Sequence, residues 1–287
     1  MKSRKLLTRR SFIQNSGRIL GGLLTASAGG YAYSRFLEPK LIQIVNQTLS
    51  FERLPDSFAG KRIVLFSDVH LDFHFGLERF EKLIDTLQNL RPDILCFTGD
   101  LYDTEVGSSG EACAAMLDRL QVPLGKWAVL GNHDHITGAA SVDKVLTRGG
   151  FTMLTNRSAV INHEGQQIQM AGVDDIFFGQ SDFEAALGHA NANLFTIMLA
   201  HEPDLADHTI LYSVDLQLSG HSHGGQVRLP FIGHLIVPEL AMKYPSGLYT
   251  LGEGKLLLYT NRGIGHSVHP IRFMCRPEIT VITLQRS

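Results

Sequence analysis

Six short apolar runs, each closed by polar residues able to bind a metal, constrain this chain more than any other feature. The first two are "RIVLFSD", ending at Asp68, and "DILCFTGD", ending at Asp100. "KWAVLGNHD" follows, with Asn132 and His133 at its end. Then come "IQMAGVDD", "FTIMLAHEP" and "DLQLSGHSH", closed by Asp174 and Asp175, by His201, and by His221 and His223. Between the first two runs Leu77, Phe80, Leu83, Ile84, Leu87 and Leu90 recur at helical spacing, and Pro92 ends that segment. Residues 111–120 read as a second helix. Ser141 is placed to cap a third that ends at Gly149 and Gly150. Strands alternating with helices predict an α/β architecture. Ligands of such sheets bind beyond the carboxyl ends of the strands. The tail differs. "KLLLYTNRG" and "EITVITLQ" read as strands with little helix between them, as a second sheet packed on the first would require. No repeat, low-complexity linker or internal domain boundary interrupts the pattern.

Composition narrows the functional classes. The chain has 26 basic and 28 acidic residues and a formal net charge of −2. A nucleic-acid binder needs a concentrated basic footprint, so no stable nucleic-acid partner is expected. Cys96, Cys113 and Cys275 fit no zinc-ribbon or CxxC spacing and are expected to be free thiols.

The N-terminus reads as a targeting segment. In "LTRRSFIQ", Thr8, Arg9, Arg10 and Phe12 form the pattern of a twin-arginine export signal, preceded by Lys2, Arg4 and Lys5. An uncharged, Gly- and Ala-rich stretch follows from Ile19 to Ser34. It falls short of the roughly 20 apolar residues of a spanning helix. Ala26-Ser27-Ala28 offers a cleavage site. A basic amphipathic helix is the other reading. The expected division is residues 1–40 as export signal or retained anchor and 41–287 as one catalytic domain. The expected location is the cell wall, periplasm or outer face of the cytoplasmic membrane, with the twin-arginine translocase as a partner during export.

The strand-end residues form one constellation. It comprises Asp68 and His70; Gly99, Asp100 and Asp103; Gly131, Asn132, His133 and Asp134; His201; and Gly220, His221 and His223. Each motif alone is weak, but five in order at strand ends are not a chance pattern. Imidazole nitrogen with carboxylate oxygen, and no thiolate, suits a dinuclear site for borderline metals. A bridging carboxylate lets two cations sit roughly 3.5–4 Å apart and polarise one phosphoryl group. Adjacent glycines let the backbone turn sharply beside the ions.

These motifs resemble the calcineurin-like metallophosphoesterase superfamily across about Ile63 to Glu278. "GHSHGGQ", "TNRGIG" and "CRPEIT" are similar to its YkuE/YaeI-like branch. The resemblance implies a four-layer αββα sandwich, two mixed β-sheets flanked by helices, with a dimetal site at the strand C-terminal ends. It implies Asp68, His70 and His223 on the first metal, Asp100 as the bridge, and Asn132, His201 and His221 on the second. Manganese, iron or zinc would fill the pair, with manganese slightly favoured. It implies hydrolysis of a phosphoester, foremost a phosphodiester, by in-line attack of a hydroxide activated by both metals. His133 would protonate the leaving oxygen or stabilise charge there. Asp134 or Asp103 would orient His133 or a ligand imidazole, although Asp103 reads equally well as a helix cap.

Arg262, in "TNRGIG", is a candidate phosphate contact. Asp174 and Asp175 read equally as acids supporting the site or as a solvated turn. His74 and His135 read as surface or packing residues. The apolar segment 229–240 reads first as a core hairpin and second as an apolar lip that meets lipid or membrane. The expected substrate is a phosphodiester or envelope-derived phosphate, because export separates the enzyme from cytosolic nucleotides. Two alternatives are a pyrophosphatase on a nucleotide-linked lipid of the UDP-diacylglucosamine type and a non-catalytic, wall-associated metal-binding protein.

Overall fold

The computed structural model describes residues 9–72 and 74–287. Thr8, Lys2, Arg4 and Lys5 of the export motif lie outside the described residues. The described chain opens with α1 (Arg9–Ala32), none of whose side chains is buried. Among the described residues no helix is long and apolar enough to cross a membrane. Packing begins before the expected boundary at residue 41. Ser34, Glu38 and Pro39 are buried. The Ser34 carbonyl accepts from the Arg272 N–H at 2.9 Å, and Glu38 Oε1 accepts from the Cys275 N–H at 2.6 Å. Residues 34–40 therefore belong to the folded domain, and a separate N-terminal segment can extend only up to them.

The remaining elements are β1 (Gln43–Phe51), β2 (Arg62–Phe66), α2 (Leu77–Asn89), β3 (Ile94–Thr98), α3 (Gly110–Asp118), β4 (Lys126–Val129), α4 (Asn132–Arg148), β5 (Phe151–Met153), β6 (Arg157–His163), β7 (Gln166–Gly172), β8 (Phe195–Leu199), α5 (Ala206–Thr209), β9 (Leu216–Ser219), β10 (Arg228–Leu229), β11 (Gly233–His234), β12 (Gly247–Leu251), β13 (Leu256–Thr260) and β14 (Glu278–Arg286). One six-stranded sheet has the order β1-β14-β2-β3-β4-β5 and the other β12-β13-β9-β8-β7-β6. Strands β2 to β5 run parallel, as do β7, β8, β9 and β13. Antiparallel pairing enters where β14 meets β2 and at the edges β12 and β6.

The short apolar runs are buried on both faces, which is why they read as continuous rather than alternating. Ile63, Leu65, Cys96 and Val129 meet Met170, Ile197, Leu199 and Leu218 between the sheets. The intervening Val64, Phe66, Leu95 and Phe97 pack on the other face against Phe80, Leu83, Leu117 and Leu146 of the helices. Helix α2 buries Phe80, Leu83, Ile84 and Leu87 at the spacing seen in sequence. Among the described residues, the outer face of the second sheet carries the single turns at Glu184–Gly188 and Pro203–Leu205 together with the short α5. The result is the four-layer αββα sandwich, with a thin fourth layer.

Four expectations change. The tail strands do not share one sheet: β13 joins the second, and β14 inserts into the first between β1 and β2. Helix α4 breaks at Gly138, so the expected helix ending at Gly149 and Gly150 is its second part, and a first part from Asn132 precedes it. The Asp134 carboxylate accepts the Gly131 N–H at 3.0 Å and closes the first turn, and the helix is interrupted only at Gly138 (φ 118). Segment 229–240 is not a core hairpin, because Phe231, Ile232, Leu235 and Ile236 are exposed. Asp103 caps no helix; its carboxylate is taken up by histidines. The three cysteines are buried, free thiols, as expected.

Candidate metal centre

The carboxyl ends of β2, β3 and β4 in one sheet and of β8 and β9 in the other deliver all seven expected ligands to one place. Asp68, His70 and His223 have ligand atoms within 4.8 Å of one another, as do Asp68, Asp100 and His201. Five of the seven, Asp68, His70, Asp100, His221 and His223, have φ between 48° and 65°. This left-handed backbone costs roughly 1–2 kcal/mol per non-glycine residue. It turns each side chain off its strand and into the gap between the sheets. Backbone hydrogen bonds hold the turns: Asp68 N–H to the Gly99 carbonyl at 2.9 Å, and Val69 N–H to the Asp100 carbonyl at 2.8 Å. The Gly220 backbone passes so close that a methyl group there would lie 2.4 Å from Asp68 Oδ2.

The protonation pattern at the second cluster is fixed by its surroundings. His201 Nδ1–H donates to the Thr98 carbonyl at 2.6 Å, which leaves Nε2 bare. His221 Nε2–H donates to the Glu239 carbonyl at 2.9 Å, which leaves Nδ1 bare. The two bare nitrogens face each other at 3.3 Å. Asn132 Oδ1 lies 3.2 Å and 3.0 Å from them, and Asp100 Oδ2 lies 3.2 Å from His201 Nε2. With both imidazoles neutral these atoms present lone pairs to one point, and Asp100 favours positive charge there, so the donor set fits a cation. Burial alone would lower His201, but the charge and hydrogen bond of Asp100 outweigh it and hold that imidazole well above its ordinary value. Burial and then the charge of His201 lower His221 to about 4.

The first cluster is built in the same way. His70 Nδ1–H donates to Asp103 Oδ1 at 2.8 Å and leaves Nε2 bare. That atom lies 3.2 Å from His223 Nε2 and 3.7 Å from Asp100 Oδ2. Asp68 Oδ1 lies 3.4 Å from His223 Nε2. Asp100 Oδ2 thus faces both clusters, the position a bridging carboxylate needs.

Comparison with known proteins agrees with this arrangement. The family model of calcineurin-like phosphoesterases matches residues 61–225. The chain belongs to that family. An uncharacterized metallophosphoesterase, YkuE of Bacillus subtilis (strain 168), is 41% identical over 285 residues, covering 98% of this chain and 99% of YkuE. The phosphodiesterase YaeI of Escherichia coli (strain K12) is 29% identical over 282 residues, covering 97% and 100%. The UDP-2,3-diacylglucosamine pyrophosphatase LpxG of Chlamydia trachomatis is 29% identical over 321 residues, covering 91% and 94%. The protein is a metal-dependent phosphoester hydrolase.

Around the ligands of this phosphoesterase, the candidates for chemistry separate. Asp103 Oδ1 receives His133 Nδ1 at 3.0 Å as well as His70 Nδ1, so one oxygen orients both imidazoles. Burial would lower His133, but the hydrogen bond to Asp103 and the charges of Asp100 and Asp103 raise it to about 9. The His133 N–H also donates to Asp100 Oδ1 at 2.9 Å. A ligand atom of His133 comes within 4.8 Å of those of His70 and Asp100, so its place beside the first cluster is close. Asp134 orients no imidazole. Its carboxylate accepts from the N–H groups of Asp100 and Leu101 at 2.8 Å each and from Gly131, tying two ligand loops together.

Arg262 is not brought to the ligands. Its guanidinium pairs with the buried Glu278 and donates to Gln43 Oε1 at 3.2 Å. The arginine that reaches the site is Arg272, ten residues on and wholly buried. It donates to the carbonyls of Arg262 at 2.8 Å and Cys275 at 3.2 Å and ends 3.5 Å from His223 Nδ1. His223 is therefore the one imidazole of the four whose far nitrogen faces a cation rather than an acceptor. Nothing in "IRFMCRP" signalled this role.

Asp174 accepts from His135 Nε2 at 2.8 Å, and Asp175 accepts from the Phe178 N–H at 2.5 Å. The buried Glu202 lies beside His201, and burial pushes that glutamate well up. Sequence reading passed over Glu202. A cavity of about 550 Å³ opens over Asp100, Asn132 and His133, with walls that include Leu235, Ile236 and Val268.

Proposed function

We propose that the protein is an exported phosphodiesterase that works with two divalent cations. Asp68, His70 and His223 would hold one cation, Asn132, His201 and His221 the other, and Asp100 both. Two cations so held would supply an activated water and Lewis-acid stabilisation for in-line displacement at phosphorus. The chain's own groups do the rest. Asp103 fixes the ring of His133, and His133, raised to about 9, carries a proton to hand to the leaving oxygen. Manganese or iron suits the Asn and carboxylate oxygens, and with no thiolate in the set zinc is not required.

The observation that carries a diester over a monoester is the lining of the cavity. Among the described residues its lining includes no lysine or arginine. A monoester dianion would meet His133 but no lysine or arginine to match its extra charge. A diester carries one negative charge, and its second substituent finds apolar walls. The test is a panel of bis-p-nitrophenyl phosphate, p-nitrophenyl phosphate and a lipid pyrophosphate, with apo protein reloaded with Mn, Fe or Zn. Preference for the diester is expected; faster turnover of the monoester would refute it.

The apolar walls also favour a second reading, cleavage of a nucleotide-linked lipid pyrophosphate, the substrate class in the name of the relative LpxG. A non-catalytic metal-binding role is disfavoured, because it has no use for His133 beside the ligands. Export rests on Arg9, Arg10 and Phe12 at the start of an exposed helix. Replacing both arginines by lysine should retain the protein inside the cell, read by fractionation.

A further inference from the structure

We propose that the rim of the cavity is a docking face for a lipid bilayer. The tip of the β10–β11 hairpin, with Ile236 and Val268, would enter the interfacial layer and bring membrane phosphodiesters to the ligands. The docking stands on surface geometry alone; the delivery of a phosphodiester rests on the function proposed above.

Phe231 sits at the hairpin tip with φ 66 and no cover at all. Ile232, Ile236 and Val268 are 71%, 79% and 71% exposed. Single exposed apolar residues are ordinary on a soluble protein, but several on one hairpin that also lines a site are not. Val268 comes from a separate loop, and Ile236 and Val268 both line the cavity that has Asp100 and His133 at its base. One cavity thus has an apolar rim and a ligand-bearing floor. An amphiphile with a phosphate near its polar end matches that order.

A second unburied apolar element is tethered to the same loop. Helix α1 exposes Phe12, Ile13, Ile19, Leu20, Leu23 and Leu24 without burying any of them. It is not long and apolar enough to cross a membrane. It runs into Tyr33–Leu37, where Phe36 and Leu37 are also exposed. That turn is fastened by the Arg272 and Cys275 N–H groups to Ser34 and Glu38. The strand of chain from Val268 to Cys275 therefore joins the cavity rim to the seat of the N-terminal segment. Two exposed apolar elements on one loop argue for a lipid surface over a protein groove of fixed shape.

The experiment uses the full chain with Phe231→Trp. Trp127 is the chain's single native tryptophan and is buried, so it provides a constant background. Vesicles of phosphatidylethanolamine and phosphatidylglycerol, doped with brominated phosphatidylcholine, should blue-shift and quench the new emission. Emission unchanged by vesicles would overturn the docking face. If Phe231→Glu instead abolished self-association in sedimentation, the occupant would be a second copy. A further pair, Phe231→Glu with Ile232→Glu, should leave kcat/KM on bis-p-nitrophenyl phosphate within about twofold. It should slow hydrolysis of a vesicle-borne phosphodiester by about tenfold or more. Quenching without any vesicle hydrolysis would keep the docking face and reject the lipid phosphodiester as substrate.

Discussion

Gly131→Ala places one methyl group where the ligand architecture has no room. The built Cβ lies 2.3 Å from Asp100 Oδ1 and 2.7 Å from His201 Cε1. Both neighbours are buried side chains facing the clusters, so neither has solvent to move into. Gly131 itself has φ −112 and ψ −179, which alanine adopts freely, so the effect is steric and not conformational. Ordinary contact requires roughly 1 Å of displacement of Asp100, His201 or the start of α4. Asp100 Oδ1 also accepts the His133 N–H at 2.9 Å, so that bond stretches too. A misplacement of about 1 Å in such a constellation costs on the order of 100-fold in rate. Overpacking adds about 1–3 kcal/mol of destabilisation. The assay is kcat/KM on bis-p-nitrophenyl phosphate with metal content measured by mass spectrometry after dialysis. Gly76→Ala is the control, because its φ is −83 and nothing lies within 4 Å of the added methyl. A Gly131→Ala enzyme within about threefold of the parent, with unchanged metal content, would refute the claim that this close approach sets the position of Asp100.

Asp103→Asn should weaken the first cation by about 10–100-fold and lower kcat, since the lost charge supported both His70 and His133; two ions retained after dialysis together with parental kcat would rule this out. His133→Ala should keep the metal content and lose about 100-fold or more in kcat, and loss of an ion in that variant would make His133 a ligand instead. Arg262→Met should leave KM unchanged but lower stability in urea by about 2–3 kcal/mol, because Glu278 stays buried with only hydroxyl partners from Tyr259 and Thr280. A tenfold rise in KM without loss of stability would return Arg262 to the substrate.

Much of the site was legible because its chemistry is local. A short run such as Ile63–Phe66 must be a buried strand, and the residue types that follow it are metal donors whatever their neighbours. Asp68, Asp100, Asn132 and His201 could therefore be picked out together, as members of one ordered set, though none stands out alone. Orientation was harder to read. Arg262 and Arg272 lie in the same tail, and no local pattern says which guanidinium faces the ligands. Asp103 and Asp134 were both credible supports for an imidazole. One receives two histidine protons, while the other receives backbone N–H groups, because α4 begins at Asn132 and turns Asp134 back toward the Asp100 loop. Segment 229–240 is rich enough in Phe, Ile and Leu to pass for core, and only the fold shows that its tip meets nothing.

By itself the sequence determined the donors, their order along the chain and the strand ends that present them, because hydrophobic runs and side-chain chemistry are properties of short segments. The tertiary structure alone decided that three donor loops come from one sheet and two from another. It decided that five of the expected ligands take left-handed backbone to meet across that gap, and that Asp100 stands between the two histidine clusters. These are distances between segments up to about 150 residues apart, such as His221 and Asp68, and only packing of the two sheets sets them.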